Sequence, residues 1–193
     1  NEMSAVVALL VKQGIVLTRV NSFITKESRI WPRMRESWSF GRYAAAVIAQ
    51  SAGADVLYDV VWPMFAQAWV GFAARKRGIP QVSHIMDIYP ESAYPKVARW
   101  VHLCARRPLL ALDRANALRA RKLVVISEHM RKVYQDNRGV SRERIEVVHT
   151  WQDEAAFLEL PERESAVRRY NLSPDRFTFL YLGNIGPVAG VDH

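Results

Sequence analysis

Gly78-Ile-Pro-Gln-Val-Ser-His-Ile-Met-Asp-Ile-Tyr-Pro-Glu-Ser92 sets the reading of the whole chain. Gly78 stops whatever precedes it, the run 80–88 is apolar and rich in β-branched residues, and Pro90 biases Tyr89 away from helix. The stretch therefore predicts a strand that ends in a fixed turn carrying two carboxylates, Asp87 and Glu91. On its N-terminal side, residues 65–77 carry helix formers up to the stop at Gly78. On its C-terminal side, residues 95–121 form a long basic helical region with a break expected at Pro108, followed by the buried-looking strand Lys122-Leu-Val-Val-Ile-Ser127.

The same alternation extends outward in both directions. Residues 39–52 are alanine-rich and end at Gly53, and Asp55-Val-Leu-Tyr-Asp-Val-Val61 is β-rich. Downstream, 128–137 predict a helix stopped by Gly139, and Arg144-Ile-Glu-Val-Val-His149 a further strand. Strands separated by helices are the pattern of right-handed βαβ units, hence an α/β, doubly wound parallel sheet of Rossmann-like type. Near the start, residues 3–13 predict a helix ended by Gly14, and Ile15-Val-Leu-Thr-Arg-Val20 a strand. The basic and aromatic stretch 21–38 has no clean period and reads as a loop with at most a short helix. Such a domain normally opens on a strand, so the first strand is expected to be missing.

Toward the other end, Pro161 begins a short polar helix. Phe177-Thr-Phe-Leu-Tyr-Leu182 then predicts a strand running into Gly183-Asn-Ile-Gly-Pro-Val-Ala-Gly190. The expected division is an N-terminal domain over 1–172 and the start of a second domain over 173–193, truncated at both ends.

Half of the 193 residues are hydrophobic and 24% are charged, an ordinary globular balance. The net charge of +8 calls for an anionic partner such as acidic headgroups or phosphorylated substrates. No nucleic-acid motif is present, so nucleic acid is not expected. One cysteine, Cys104, excludes an internal disulfide and a cysteine zinc site, and fits the cytoplasm. Residues 44–74 lack Lys and Arg, but Gly53, Asp55, Asp59 and Pro63 interrupt them, so helix, strand and helix read better than a membrane span.

Ligands of open parallel sheets bind beyond the carboxyl ends of the strands. That places Asp87 and Glu91 together as candidate catalytic carboxylates, able to accept from sugar hydroxyls or to act as a base, with helix capping as the alternative. Ser127 and Glu128, beside His129, end the next strand, and Ser127 also suits a helix cap. Trp151 and Asp153 follow the strand after that. Gly183, Asn184 and Gly186 could bring backbone N–H groups to a phosphate, although the spacing matches neither Gly-x-Gly-x-x-Gly nor a P-loop. His84, inside a strand, reads as a hydrogen-bonded core residue. No His or Cys spacing suggests a metal.

Taken in order, the Asp87-Ile-Tyr-Pro-Glu-Ser92 turn, Leu123-Val-Val-Ile-Ser-Glu128, the 139–153 stretch ending in Thr-Trp-Gln-Asp, and Phe179-Leu-Tyr-Leu-Gly-Asn-Ile-Gly186 resemble glycosyltransferase family 4, of GT-B fold, and within it bacterial enzymes of capsule, O-antigen and exopolysaccharide synthesis. The resemblance implies retaining, metal-free, hexosyltransferase-type transfer from a nucleotide-diphosphate sugar to a saccharide acceptor, itself lipid-linked. It assigns Ser127, Glu128, Trp151 and Asp153 to substrate and Gly183, Asn184 and Gly186 to the donor phosphates. It further implies peripheral association with an anionic membrane on its inner face. His149-Thr150 departs from the family's usual Pro-Asn, and the donor-binding half would be needed for activity. The alternatives are a non-catalytic α/β module docking on membrane or an acidic protein, and a nucleotide-dependent epimerase or dehydrogenase.

Overall fold

A computed structural model describes residues 11–26, 29–51, 53–61, 64–92, 99–150, 155–158 and 162–181. They fall into two compact units, Asn1–Val148 and His149–His193.

In the first unit, α1 (Ile30–Gln50), β1 (Leu57–Val61), α2 (Met64–Lys76), β2 (Gln81–Ile85), α3 (Arg99–Arg119), β3 (Lys122–Val125), α4 (Glu128–Arg138) and β4 (Ile145–Val147) follow one another. The four strands form one all-parallel sheet in the order β1-β2-β3-β4. Strand and helix alternate as the sequence predicts, and the result is the Rossmann-like α/β architecture. Gly14, Gly53, Gly78 and Gly139 all take positive φ. At Gly139, which caps α4 in the left-handed conformation, a side chain would add backbone strain.

Register fixes which residues share a face. Ser83 lies beside Leu123 and Leu123 beside Ile145, and Ile85 beside Val125. The side chains of Ile85, Leu123, Val125 and Ile145, with Ala117 of α3, Ala120 just after it, and Met130 and Tyr134 of α4, form the buried core. Among the described residues the other face is less covered: Tyr58 and Val60 are exposed, and Val82, His84 and Val124 half-buried. His84 hydrogen-bonds there with Tyr58, Nδ1 to the hydroxyl oxygen at 2.8 Å, in keeping with its reading as a structural residue.

Three expectations need correction. The stretch 30–38 is helical, so α1 starts about two and a half turns before the expected position. Its buried seam residues against α2 are Ser37 and Gly41, with Trp38 set edge-on to Trp69 at 5.2 Å, and the small polar and glycine positions hide the helical period. An added Cβ at Gly41 would lie 2.6 Å from the Ala66 Cα, so only glycine permits that approach. The Ser37 hydroxyl accepts from the Ala66 amide at 3.1 Å. Second, Pro108 lies inside an unbroken α3. Third, residues 15–20 and 177–181 are not strands. Both are apolar runs, but a strand exists only through a neighbour's hydrogen bonds, and among the described residues neither run has one. Phe177 and Phe179 are strongly exposed. The second unit otherwise shows the short helices α5 (Ala155–Leu158) and α6 (Arg163–Arg169).

Candidate functional site

The carboxyl ends of β2 and β3 converge on a cleft of about 490 Å³ lined by Met86, Asp87, Ile88, Glu91, Ser92, His129, Met130, Val133 and Asn137. One wall is the turn after β2; the other is α4. Each wall has a physical cause. The strand ends at Ile85, and the turn that follows it is formed around the buried Pro90. The helix begins where the Ser127 hydroxyl oxygen accepts from the Met130 amide at 3.2 Å, a side-chain N-cap, with Glu128 in the first turn complementing the helix dipole.

Asp87 and Glu91 share this cleft, as their sequence spacing predicts. Their environments differ. Asp87 is exposed, and its carboxylate has no hydrogen-bond partner among the described residues. Glu91 receives Arg138 Nη2 at 2.9 Å and 2.7 Å on its two carboxylate oxygens. Arg138, only 1% exposed, also donates from Nη2 to the Tyr89 carbonyl at 2.9 Å and from Nε to Asp113 at 2.7 Å. One guanidinium thus ties the turn to α3 and α4. Tyr134 completes the cluster by donating to Asp113, with the guanidinium near its ring.

Charge in this cluster is governed by burial and pairing. Burial pushes the Asp113 carboxyl up to about 6 despite the opposing pull of the Arg138 guanidinium. Burial also works against the Arg138 charge, but its bonds to Glu91 and Asp113 outweigh it and hold the guanidinium charged. The Tyr134 phenol is raised by burial and by the neighbouring Asp113 carboxylate, so it stays neutral and serves as a donor.

Ser127 sits at the strand end beside the cleft, its hydroxyl engaged as the cap. Glu128 points to solvent and pairs with Arg131. Neither lines the cleft. Trp151, Asp153, Gly183, Asn184 and Gly186 lie outside the described residues. The sequence does not mark the lining residues Met86, Met130, Val133, Asn137 and Ser92, the last with its hydroxyl buried and without a hydrogen-bond partner among the described residues. His129, Val133 and Asn137 recur at every fourth position of α4, so helical periodicity could have placed them on one wall. Arg138 carried no such signal, being one of many arginines. Among the described residues no cluster of three or more His, Cys, Asp or Glu side chains forms a metal site.

An α/β domain with a carboxylate-bearing cleft at the strand C-termini defines a class of ligand-binding and transferase folds. Residues 11–155 match the family model Glycosyltransferase Family 4, and the chain belongs to that family. Its function is therefore of the glycosyltransferase type, which entails binding a sugar donor and an acceptor. No curated protein matches the chain closely enough to add a relative.

Proposed function

We propose that the chain supplies the acceptor-binding side of a retaining glycosyl transfer from a nucleotide-diphosphate sugar to a lipid-linked saccharide, in surface polysaccharide synthesis. The observation that carries this reading is the pairing of Asp87 and Glu91 on one turn, facing one cleft at the strand C-termini. Asp87 is free to accept from an acceptor hydroxyl. Glu91, its oxygens already held by Arg138, suits fixing an acceptor in place better than removing its proton. The buried Ser92 hydroxyl and the Asn137 amide supply further polar contacts. Trp151 and Asp153 would extend the acceptor contacts, and Gly183, Asn184 and Gly186 would approach the donor phosphates.

Octyl glucoside below its micelle concentration is a suitable probe, because it joins a sugar to an alkyl chain. Saturation-transfer NMR should show it bound to the full chain, and Asp87→Asn should weaken binding about ten-fold by losing a charge-assisted hydrogen bond. Equal binding by the variant would reject the acceptor assignment.

A peripheral position on the inner face of the membrane fits a lipid-linked acceptor. Trp31, Trp100 and Leu103 are strongly exposed, and Arg106 and Arg107 lie on α3 near the latter two. Part of the basic stretch is engaged internally: Arg33 pairs with Glu36 at 2.8 Å, and Arg35 lies over Phe23. Among the described residues no helix is long and apolar enough to cross a membrane. Trp100→Ala with Leu103→Ala should reduce co-sedimentation with phosphatidylglycerol vesicles; undiminished sedimentation would reject this contact.

A further inference from the structure

The opposite edge of the sheet, where the strands begin, holds a second and larger cleft of about 780 Å³ that the glycosyl-transfer reading does not use. Arg75 and Gly71 of α2, Gln81 at the start of β2, Arg119, Arg121, Lys122 and Arg144 line it, and no carboxylate does. Basic residues at helix C-termini ordinarily complement the helix dipole. That accounts for Arg144, which donates to the Leu118, Ala120 and Arg121 carbonyls at the end of α3. Lys122 is matched by Glu146 at 2.9 Å. The dipole also favours Arg75, in the last turn of α2, but neither it nor Arg121 has an ion-pair or hydrogen-bond partner for its exposed side chain among the described residues.

Two further features point to a ligand. Arg119 is half-buried, burial together with the like charge of Arg75 lowers its pKa, and its hydrogen bond, from Nη1 to Asn116 Oδ1 at 3.0 Å, is to a neutral amide. Gln81 is only 4% exposed. Its Nε2 donates to Asp59 at 2.9 Å and Ser83 at 3.2 Å, while its Oε1 is buried with no donor. A buried acceptor without a partner is costly and calls for a donor in the space it faces. Gly71 borders this acceptor: a Cβ there would lie 2.7 Å from Gln81 Oε1 and 3.3 Å from Arg119 Nη1. Acceptor and cation therefore meet at one spot.

We propose that this cleft binds a phosphate ester that also carries a hydroxyl, the phosphate set against Arg75, Arg119 and Arg121 and the hydroxyl donating to Gln81 Oε1. A free sugar or polyol phosphate and a phosphatidylglycerol headgroup share this chemistry in part, and the test separates them. Glycerol 3-phosphate titrated calorimetrically into the full chain at low salt should bind more tightly than inorganic phosphate, and added salt should weaken it. Arg75→Ala and Arg121→Ala should each weaken binding about ten-fold, whereas Lys132→Ala, on α4, should not. Gly71→Ala, checked for folding by circular dichroism, should abolish the preference over inorganic phosphate. Competition by glycerol 3-phosphate against phosphatidylglycerol vesicles identifies a headgroup site; binding without vesicle recruitment identifies a free ligand. No binding at low salt, no loss in the two arginine variants, or equal affinity for inorganic phosphate would overturn the proposal. None of these outcomes depends on acceptor binding at the other edge.

Discussion

The two ends of one parallel sheet treat charge in opposite ways. At the strand C-termini, Arg138 is bonded to Glu91, Asp113 and the Tyr89 carbonyl, so a single buried cation is matched by two carboxylates and a carbonyl. At the strand N-termini, Arg75, Arg119 and Arg121 line a wide cleft without a carboxylate among the lining residues. Helix polarity explains part of the contrast, since every helix of a βαβ unit presents its C-terminal carbonyls to the N-terminal edge and attracts cations there. The rest is chemical. A satisfied buried charge holds structure in place, whereas exposed charges without counter-ions leave capacity for a ligand.

Breaking the satisfied end should have the largest effect. Arg138→Met leaves Asp113 buried beside Tyr134 without its cation and releases the turn that carries Asp87 and Glu91. Removing one partner of a buried ion pair costs about 3–5 kcal/mol. Most of that loss should come from the Asp113 side, because Asp113 is almost fully buried while Glu91 is more than one-third exposed. Urea unfolding should show a midpoint lowered to match. The same experiment on Arg121→Ala, at the other edge, should move the midpoint within about 0.5 kcal/mol, as expected for an exposed residue without partners.

Asp113 gives a smaller effect with a definite sign. Its folded pKa, about 6, lies above the ordinary value of 3.8, so between these limits the folded chain binds a proton that the unfolded chain releases. The Asp113 contribution to stability is therefore greatest below the unfolded value and declines as pH rises through that window. Asp113→Asn, which keeps an acceptor for Arg138, should remove this component. Between pH 4 and 7 the wild type should lose on the order of 1–3 kcal/mol relative to the variant. Parallel pH profiles would show that the carboxyl is not held protonated.

How much of this was legible in the sequence depends on the range over which each feature is encoded. The strand at 81–85, its turn and the cap at Ser127 are local: β-branched runs, a proline and a serine before a helix specify them within a few residues. The α1 seam was hidden because its contact residues, Ser37 and Gly41, are chosen for small size and carry no hydrophobic period. The runs 15–20 and 177–181 have strand composition but depend on partners that composition cannot supply. In the candidate site, the shared position of Asp87 and Glu91 follows from their spacing. Their division of labour does not, because it is imposed by Arg138, nearly fifty residues further along the chain.

The smallest expected effect tests the unsatisfied end directly. Arg75 is exposed, and its charge contributes to lowering the Arg119 pKa. Removing it deletes a repulsion and no recorded bond, so Arg75→Ala should leave stability unchanged or raise it by no more than about 0.5 kcal/mol. Solvent screens this repulsion, and in 1 M salt, where the Debye length is about 3 Å, the gain should vanish. Thermal unfolding of wild type and variant at low and high salt gives the comparison. A clear loss of stability at low salt would show that Arg75 supports the fold in the way Arg138 does, and the two edges would then not differ in the sense described. A small gain that salt abolishes fits a cation held in place for something other than folding.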